Sequence, residues 1–213
     1  MKKFNFLWLL LLVPAFFGAA VAFFEPFPKF EKAIFDTLQK LPSFFYNPMY
    51  YLTELGGTIG VVSVTLLIFV LSIIFKRFFT IGLPVTLTVI ISRIVNIGLK
   101  ALIDRPRPDF RLFPNETETS FPSGHSQNNM ALYIGLLLVL LLIINAPKLR
   151  AWLTVALIAL PLIIGITRLY FGVHYISDVL AGWSVGALLA IVVHVVYFKV
   201  LNGRKPKNAD KSI

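Results

Sequence analysis

The stretch Gly57–Phe75, GTIGVVSVTLLIFVLSIIF, carries no charged residue and stops at Lys76-Arg77. At about 1.5 Å of rise per residue, a helix of this length nearly crosses a hydrocarbon core of about 30 Å. A helix also satisfies its own backbone donors and acceptors, which lipid cannot do. Working outward, runs of the same kind recur at about Phe6–Phe24, Ile81–Leu99, Asn128–Ile144, Ala151–Ile166 and Asp178–Phe198. The first stops ahead of Pro26 and Pro28, the fourth ahead of Pro147, and Pro84 falls where a first helical turn tolerates it. The expected fold is therefore an all-α integral membrane bundle of six transmembrane helices.

Composition agrees. The 213 residues are 57% hydrophobic with a mean hydropathy of +0.81, against roughly 45–50% apolar residues in soluble domains. A chain this short is one bundle: residues 1–201 form a single transmembrane domain and 202–213 a polar, basic tail. With no cysteine, neither disulfide nor thiol chemistry is available.

Between the first two runs, Phe30, Ile34, Leu38 and Leu41 recur at helical spacing among Lys29, Glu31, Lys32, Asp36 and Lys40. This segment, within Lys29–Met49, reads as an amphipathic helix in the membrane interface. The competing reading is an ordinary connecting helix outside the membrane.

The net charge is +10. Nucleic-acid binding would need a basic, solvated face interleaved with stacking aromatics, and none is present. The basic residues instead punctuate the apolar runs. Lys2-Lys3, Lys76-Arg77, Lys148, Arg150 and the basic tail fall on one side, where Asp210 is the exception among acids. Glu25, Glu31, Asp36, Glu54, Asp104, Asp109, Glu116, Glu118 and Asp178 fall on the other. Positive charge marks the cytoplasmic side. The expectation is a multi-pass protein of the plasma membrane with both termini cytoplasmic. The loops after the first, third and fifth spans then face outward. Lys2-Lys3, the first apolar run and Ala20-Val21-Ala22 also have the features of a signal peptide; the segment is read as an uncleaved anchor.

The residues capable of chemistry gather in two of those outer loops. One contains Lys100, Asp104-Arg105-Pro106-Arg107-Pro108 and Pro122-Ser123-Gly124-His125; the other contains Thr167-Arg168, His174 and Asp178. Lys100, Arg107 and Arg168 are cations near apolar surroundings, which require a counter-anion. A phosphate suits them, because arginine offers paired donors and lysine a point charge. Ser123 and Gly124 precede a helix start, where backbone N–H groups favour an anion; a plain turn with an N-cap is the structural alternative. His174 and Asp178 are four apart, so on a helix the carboxylate reaches the ring and fixes its tautomer. His125 is the second acid–base candidate. Taken singly, either histidine could simply bridge polar groups. A metal site built from His125, His174 and Asp178 is disfavoured, because three cations repel a divalent ion and carboxylates are few. Arg93 and Asn96, on the face of Lys100, either support this site or pair within the bundle. His194 reads as structural, and Gly182-x-x-x-Gly186 as a packing contact inside the bundle.

These residues form three ordered motifs: K-x6-R-P from Lys100 to Arg107-Pro108, P-S-G-H from Pro122 to His125, and S-R-x5-H-x3-D from Thr167 to Asp178. With them the chain resembles the type 2 phosphatidic acid phosphatase superfamily, in its membrane lipid phosphatase branch. The one departure is Thr167 in place of serine; it keeps the hydroxyl, so a similar contact is expected. The resemblance implies that His174 attacks phosphorus to form a phosphohistidine and that Asp178 orients it. It also implies that His125 protonates the leaving oxygen and then activates water. Lys100, Arg107, Ser123, Gly124 and Arg168 would hold the phosphoryl oxygens, with no metal and no cofactor. The implied substrate is a membrane lipid phosphate: phosphatidylglycerophosphate, undecaprenyl pyrophosphate or phosphatidic acid. The rivals are a vanadate-dependent haloperoxidase, whose pocket is similar, and a non-enzymatic transporter or binder of phospholipid or anion.

Overall fold

The computed structural model describes residues 28–113 and 119–203, whose regular elements are all helices, with no strand among them. The first expected span, Phe6–Phe24, lies outside the described residues, as do Glu116, Glu118 and most of the tail.

The elements run α1 (Pro28–Gln39), a short 3-10 turn (Ser43–Phe45), α2 (Tyr46–Leu55), α3 (Thr58–Ile74) and a π-turn (Phe78–Gly82). They continue as α4 (Leu83–Ile103), α5 (Gly124–Ile143), α6 (Pro147–Tyr170) and α7 (Ile176–Gly203). Among the described residues, four helices are long and apolar enough to cross a membrane. A fifth span is obtained if Ser43–Leu55 and Thr58–Ile74, bent by 60° at their junction, count as one. The run Gly57–Phe75 thus forms a 17-residue helix, slightly short of a full crossing. Exposed large apolar side chains such as Ile59, Leu66, Ile73, Ile94, Trp152 and Val155 turn outward from the bundle, as lipid contact requires. This is a membrane protein.

The helices run past the apolar stretches at several ends. Helix α5 begins at Gly124, not near Asn128, and buries Ser126, Gln127, Asn128 and Asn129 in its first turns. Helix α6 begins at Pro147 and runs to Tyr170, so Thr167 and Arg168 belong to its last turn, not to a loop. At the start of α5 and the end of α6, polar residues satisfied inside the protein allow the helix to continue past the apolar run. Helix α1 stops at Gln39 because Leu41 precedes Pro42, and a residue before proline is pushed out of the helical region.

Helix α5 is the central post. It is buried along most of its length and packs most extensively on α7. The close approach depends on Gly182 and Gly186: a Cβ on Gly186 would stand 2.3 Å from the Gln127 carbonyl oxygen, and one on Gly182 would stand 2.8 Å from that of Ser123. The small-residue pair therefore packs within the bundle, as its sequence suggested. Trp183 ties α7 to α6 by donating to the Pro161 carbonyl at 3.1 Å. Met130, Ile134, Leu137, Ala187 and Ile191 fill the space between the helices.

Helix α1 does more than its amphipathic pattern indicated. Leu38 packs with Leu41 and Met49 on the buried Tyr170, Phe171 and Val173. Gln39 donates to the Tyr170 carbonyl at 2.6 Å. Glu31 is buried and accepts from the Ile176 amide at 3.2 Å. Burial raises the Glu31 proton affinity above the usual carboxylate range, partly offset by that amide. The helix is a cover docked on the α6–α7 turn.

Candidate active site

The C-terminal end of α4, the last turn of α6 and the N-terminal turns of α5 and α7 meet at one end of the bundle. The chain leaves α4 through Asp104, which adopts a left-handed conformation (φ 45°) and closes the helix onto the Lys100 carbonyl. Aspartate tolerates that conformation better than most residues. Pro106 and Pro108 then hold Arg105 and Arg107 extended. In an extended chain, residues two apart share a face. Arg105 and Arg107 accordingly both point inward and are buried, while Pro106 is exposed.

Two backbone bonds join these segments. The Ser120 amide donates to the Arg105 carbonyl at 2.8 Å, and the Ser123 amide donates to the Asp178 carbonyl at 3.0 Å. After α6, Gly172 takes a left-handed conformation (φ 64°) under the rings of Phe35 and Phe110, and the turn delivers His174.

His174 is buried between two partners that demand the same tautomer. Its Nδ1 lies 3.4 Å from Asp178 Oδ2, and its Nε2 lies 3.4 Å from Arg107 Nη1. A carboxylate requires Nδ1 to carry the proton, and a guanidinium, which only donates, requires Nε2 to offer its lone pair. Burial lowers the proton affinity of His174 to about 4, outweighing the hydrogen bond and charge of Asp178, which act the other way. The ring is therefore neutral at neutral pH.

Asp178 is fully engaged. Arg105 donates to Oδ1 at 2.7 Å, the Tyr175 amide to Oδ2 at 2.8 Å, and the Ser120 hydroxyl also to Oδ2. Arg105 in turn donates to Ser177 Oγ at 2.7 Å and lies 4.3 Å from the centre of the Tyr175 ring. Neither Arg105 nor Ser120 was singled out from the sequence. For Arg105 the available signal was the alternation set by the two prolines; for Ser120 there was none.

Lys100, Arg107, Gly124, His125 and His174 line one cavity of about 190 Å³. Lys100 donates to the Thr119 carbonyl and Arg107 to the Val173 carbonyl at 3.0 Å. His125 Nε2 faces the α2–α3 corner, 3.6 Å from where a Cβ on Gly57 would stand. Asn129 fixes that corner, donating to the carbonyls of Gly56 and His125 at 2.8 Å each. Away from His174 the cavity is bordered by Val61 and Val62 of α3 and by Val89 and Arg93 of α4.

Ser123, Arg168 and Asp178 stand behind the cavity wall. Ser123 caps α5, accepting from the Ser126 amide at 3.4 Å, so the capping alternative is realised. Arg168 donates to Thr53 Oγ1 at 2.7 Å, a contact from α2 that sequence spacing could not indicate. It is close enough to lower the proton affinity of His174. The Thr167 hydroxyl turns back to the Ile164 carbonyl of its own helix at 2.6 Å. Asn96 bridges to the Pro122 carbonyl and to Gln127 Oε1, at 3.3 and 3.0 Å. Among the described residues, no three His, Asp or Glu side chains gather at metal-ligand spacing.

Comparison with known proteins places this arrangement among relatives. Over 115 residues the chain is 40% identical to phosphatidylglycerophosphatase B of Bacillus subtilis, covering 53% of this chain and 56% of that one. Over 150 residues it is 29% identical to an undecaprenyl-diphosphatase of Sulfolobus acidocaldarius, covering 68% and 66%. The matches thus span between half and two thirds of these curated relatives. The structure superposes on that of a transmembrane PAP2 type phosphatidylglycerolphosphate phosphatase from Bacillus subtilis with a TM-score of 0.74. The two are 28% identical, over 92% of this chain and 94% of that one. The PAP2 superfamily model matches residues 81–201, which include all three motifs and every cation, histidine and carboxylate of the site. The chain therefore belongs to the PAP2 superfamily.

Proposed function

We propose that the protein is a membrane lipid phosphatase that hydrolyses a phosphomonoester or diphosphate through a phosphohistidine. The observation that carries this reading is His174: a buried, neutral imidazole with Nδ1 on Asp178 and Nε2 turned toward Arg107 and the cavity of Lys100 and His125.

In the first step, Nε2 of His174 bonds to phosphorus as the bond from phosphorus to the lipid-side oxygen breaks. That oxygen leaves with the electron pair and takes a proton from His125, because an alkoxide is a poor leaving group. In the second step His125 removes a proton from water, whose oxygen attacks phosphorus, and the N–P pair returns to Nε2. Two displacements replace one difficult one. Lys100, Arg107 and the Gly124 amide meet the charge on the equatorial oxygens, with Arg168 behind them and Ser123 shaping the helix start. Asp178 stabilises the imidazolium character that develops on His174. With cations already filling this role, the chemistry needs no metal.

The substrate is a lipid phosphate such as phosphatidylglycerophosphate, undecaprenyl pyrophosphate or phosphatidic acid, its head at the polar end of the cavity and its tail in the bilayer. The site lies at the extracytoplasmic face. What supports this is the positive charge of Lys76, Arg77, Lys148 and Arg150 at the helix junctions of the opposite end. Both termini are then cytoplasmic, and residues 1–201 act as a single six-span domain with α1 at the outer interface.

The test is phosphate release from a panel of lipid phosphates by detergent-purified protein, with and without chelator, alongside His174→Ala. We expect release that survives the chelator and falls by about 10⁵-fold in the variant, with a labelled phosphoenzyme, stable to alkali and labile to acid, trapped by an alkaline quench only in the wild type. Release abolished by chelator would overturn the metal-free mechanism. A folded wild type that releases phosphate from no lipid would overturn the enzyme reading in favour of a binder or transporter.

A further inference from the structure

Val89, Arg93, Asn96 and Lys100 fall on one face of α4 at helical spacing. Lys100 and Arg93 both line the cavity, yet they stand seven residues apart, about 10 Å along the helix. The cavity is therefore elongated along α4. His174, Arg107 and Lys100 lie at one end, and Arg93 lies among Val61, Val62 and Val89 toward the other.

Arg93 differs from the other cations. Lys100 and Arg107 donate to protein carbonyls and Arg105 to a carboxylate. Among the described residues Arg93 has no hydrogen bond or ion pair to protein, and no carboxylate lines the cavity. A guanidinium held at membrane depth beside three valines is costly unless an anion meets it. Such residues mark the path of a charged ligand.

We propose that Arg93 is a specificity-determining residue that binds a second phosphate, on the lipid side of the scissile bond. This rests on the phosphatase reading above. The reacting phosphate occupies the His174 end and the tail leaves past the valines, so Arg93 meets whatever lies between them. In phosphatidic acid that portion is an uncharged glycerol ester. In a polyprenyl diphosphate it is a phosphate one bridging oxygen away, and in phosphatidylglycerophosphate it is a phosphodiester beyond three carbons. The preferred substrates thus carry two anionic phosphate groups.

The test compares kcat/KM of wild type and Arg93→Gln on four lipids: a polyprenyl diphosphate, the corresponding monophosphate, phosphatidylglycerophosphate and phosphatidic acid. We expect the ratio of two-phosphate to one-phosphate substrates to fall by about 10–100-fold, mainly through KM, as for the loss of a charge-assisted hydrogen bond. Arg93→Lys, which keeps the charge but not the paired donors, should fall by about threefold or more. It carries the test by the same ratio if the glutamine variant is not recovered folded. A fall confined to the diphosphate pair, or to the glycerophosphate pair, supports the proposal and identifies which second phosphate is read. Unchanged ratios overturn it, including the case in which all four substrates lose activity in parallel. A wild type inactive on all four overturns the phosphatase reading itself, which a parallel loss in the variant would not.

Discussion

The two ends of α7 each bury a polar side chain inside the membrane domain, and they solve the problem differently. Asp178, at the N-terminal end, is fully buried and receives donors from Arg105, Ser120, His174 and the Tyr175 amide. His194, about 24 Å further along the helix, is also buried, but its Nδ1 needs only the Ala190 carbonyl of its own helix, at 2.7 Å. Its Nε2 has no hydrogen-bond partner among the described residues. A local contact comes with the helix at little extra entropy. A contact assembled from several segments must order each of them. The assembly around Asp178 leaves His174 in one tautomer facing a cavity; the arrangement around His194 faces Gly135, Thr88 and Phe198 and leads nowhere. Burial of a polar group alone does not mark a site. Convergence of distant segments on it does.

The sharpest way to break this contrast is Asp178→Asn. The amide keeps the shape but cannot serve all four donors, and it no longer imposes the Nδ1–H tautomer on His174. We expect kcat to fall by about 10³–10⁴-fold, with the purified protein still monodisperse in detergent. Activity within tenfold of wild type would mean that the carboxylate is structural, like His194.

A smaller effect is expected at Arg105, which holds Asp178 but does not line the cavity. Arg105→Met keeps an apolar stem near Tyr175 and leaves one carboxylate oxygen without its strongest donor. Loss of a group that positions a catalytic residue lowers activity by about 10–100-fold. Because Arg105 does not line the cavity, the loss should appear in kcat with KM little changed, and Arg105→Lys should restore part of it. A rise in KM at constant kcat would instead make Arg105 a substrate contact and redraw the cavity.

The same contrast explains what the sequence disclosed. The apolar runs announced α3 to α7, because lipid contact forces long uncharged stretches on any helix that crosses it. His174, Asp178, Lys100, Arg107 and His125 were legible because their spacing is fixed within single segments. Arg105, Ser120 and Thr53 were not, since their partners lie 73, 58 and 115 residues away, and no local period encodes such pairings. The polar first turns of α5 were lost for a related reason. Ser126, Gln127, Asn128 and Asn129 look like loop composition, yet Ser92, Asn96 and Gly56 supply partners for three of them. Glu31 was taken for the solvated face of an amphipathic helix; its burial against Ile176 depends on where α1 docks, which hydrophobic spacing does not state.

The smallest effect is expected at His194, and its smallness is what the contrast requires. His194→Leu removes one satisfied and one unsatisfied nitrogen together, and the replacement is apolar. The loss is nearly neutral, because the one group that gives up a partner, the accepting Ala190 carbonyl, retains its helical bond. A leucine here also avoids enlarging the side chain against Gly135, where a Cβ would already stand 3.1 Å from the His194 ring. We expect kcat/KM within about twofold of wild type and a stability change within about 1 kcal/mol, read from the thermal midpoint in detergent. A large loss of activity with stability intact would show that the C-terminal half of α7 communicates with its N-terminal end. Thr88 and the α4 face below Arg93 would then be the place to look for the connection, since Thr88 Oγ1 stands 3.5 Å from His194 Nδ1.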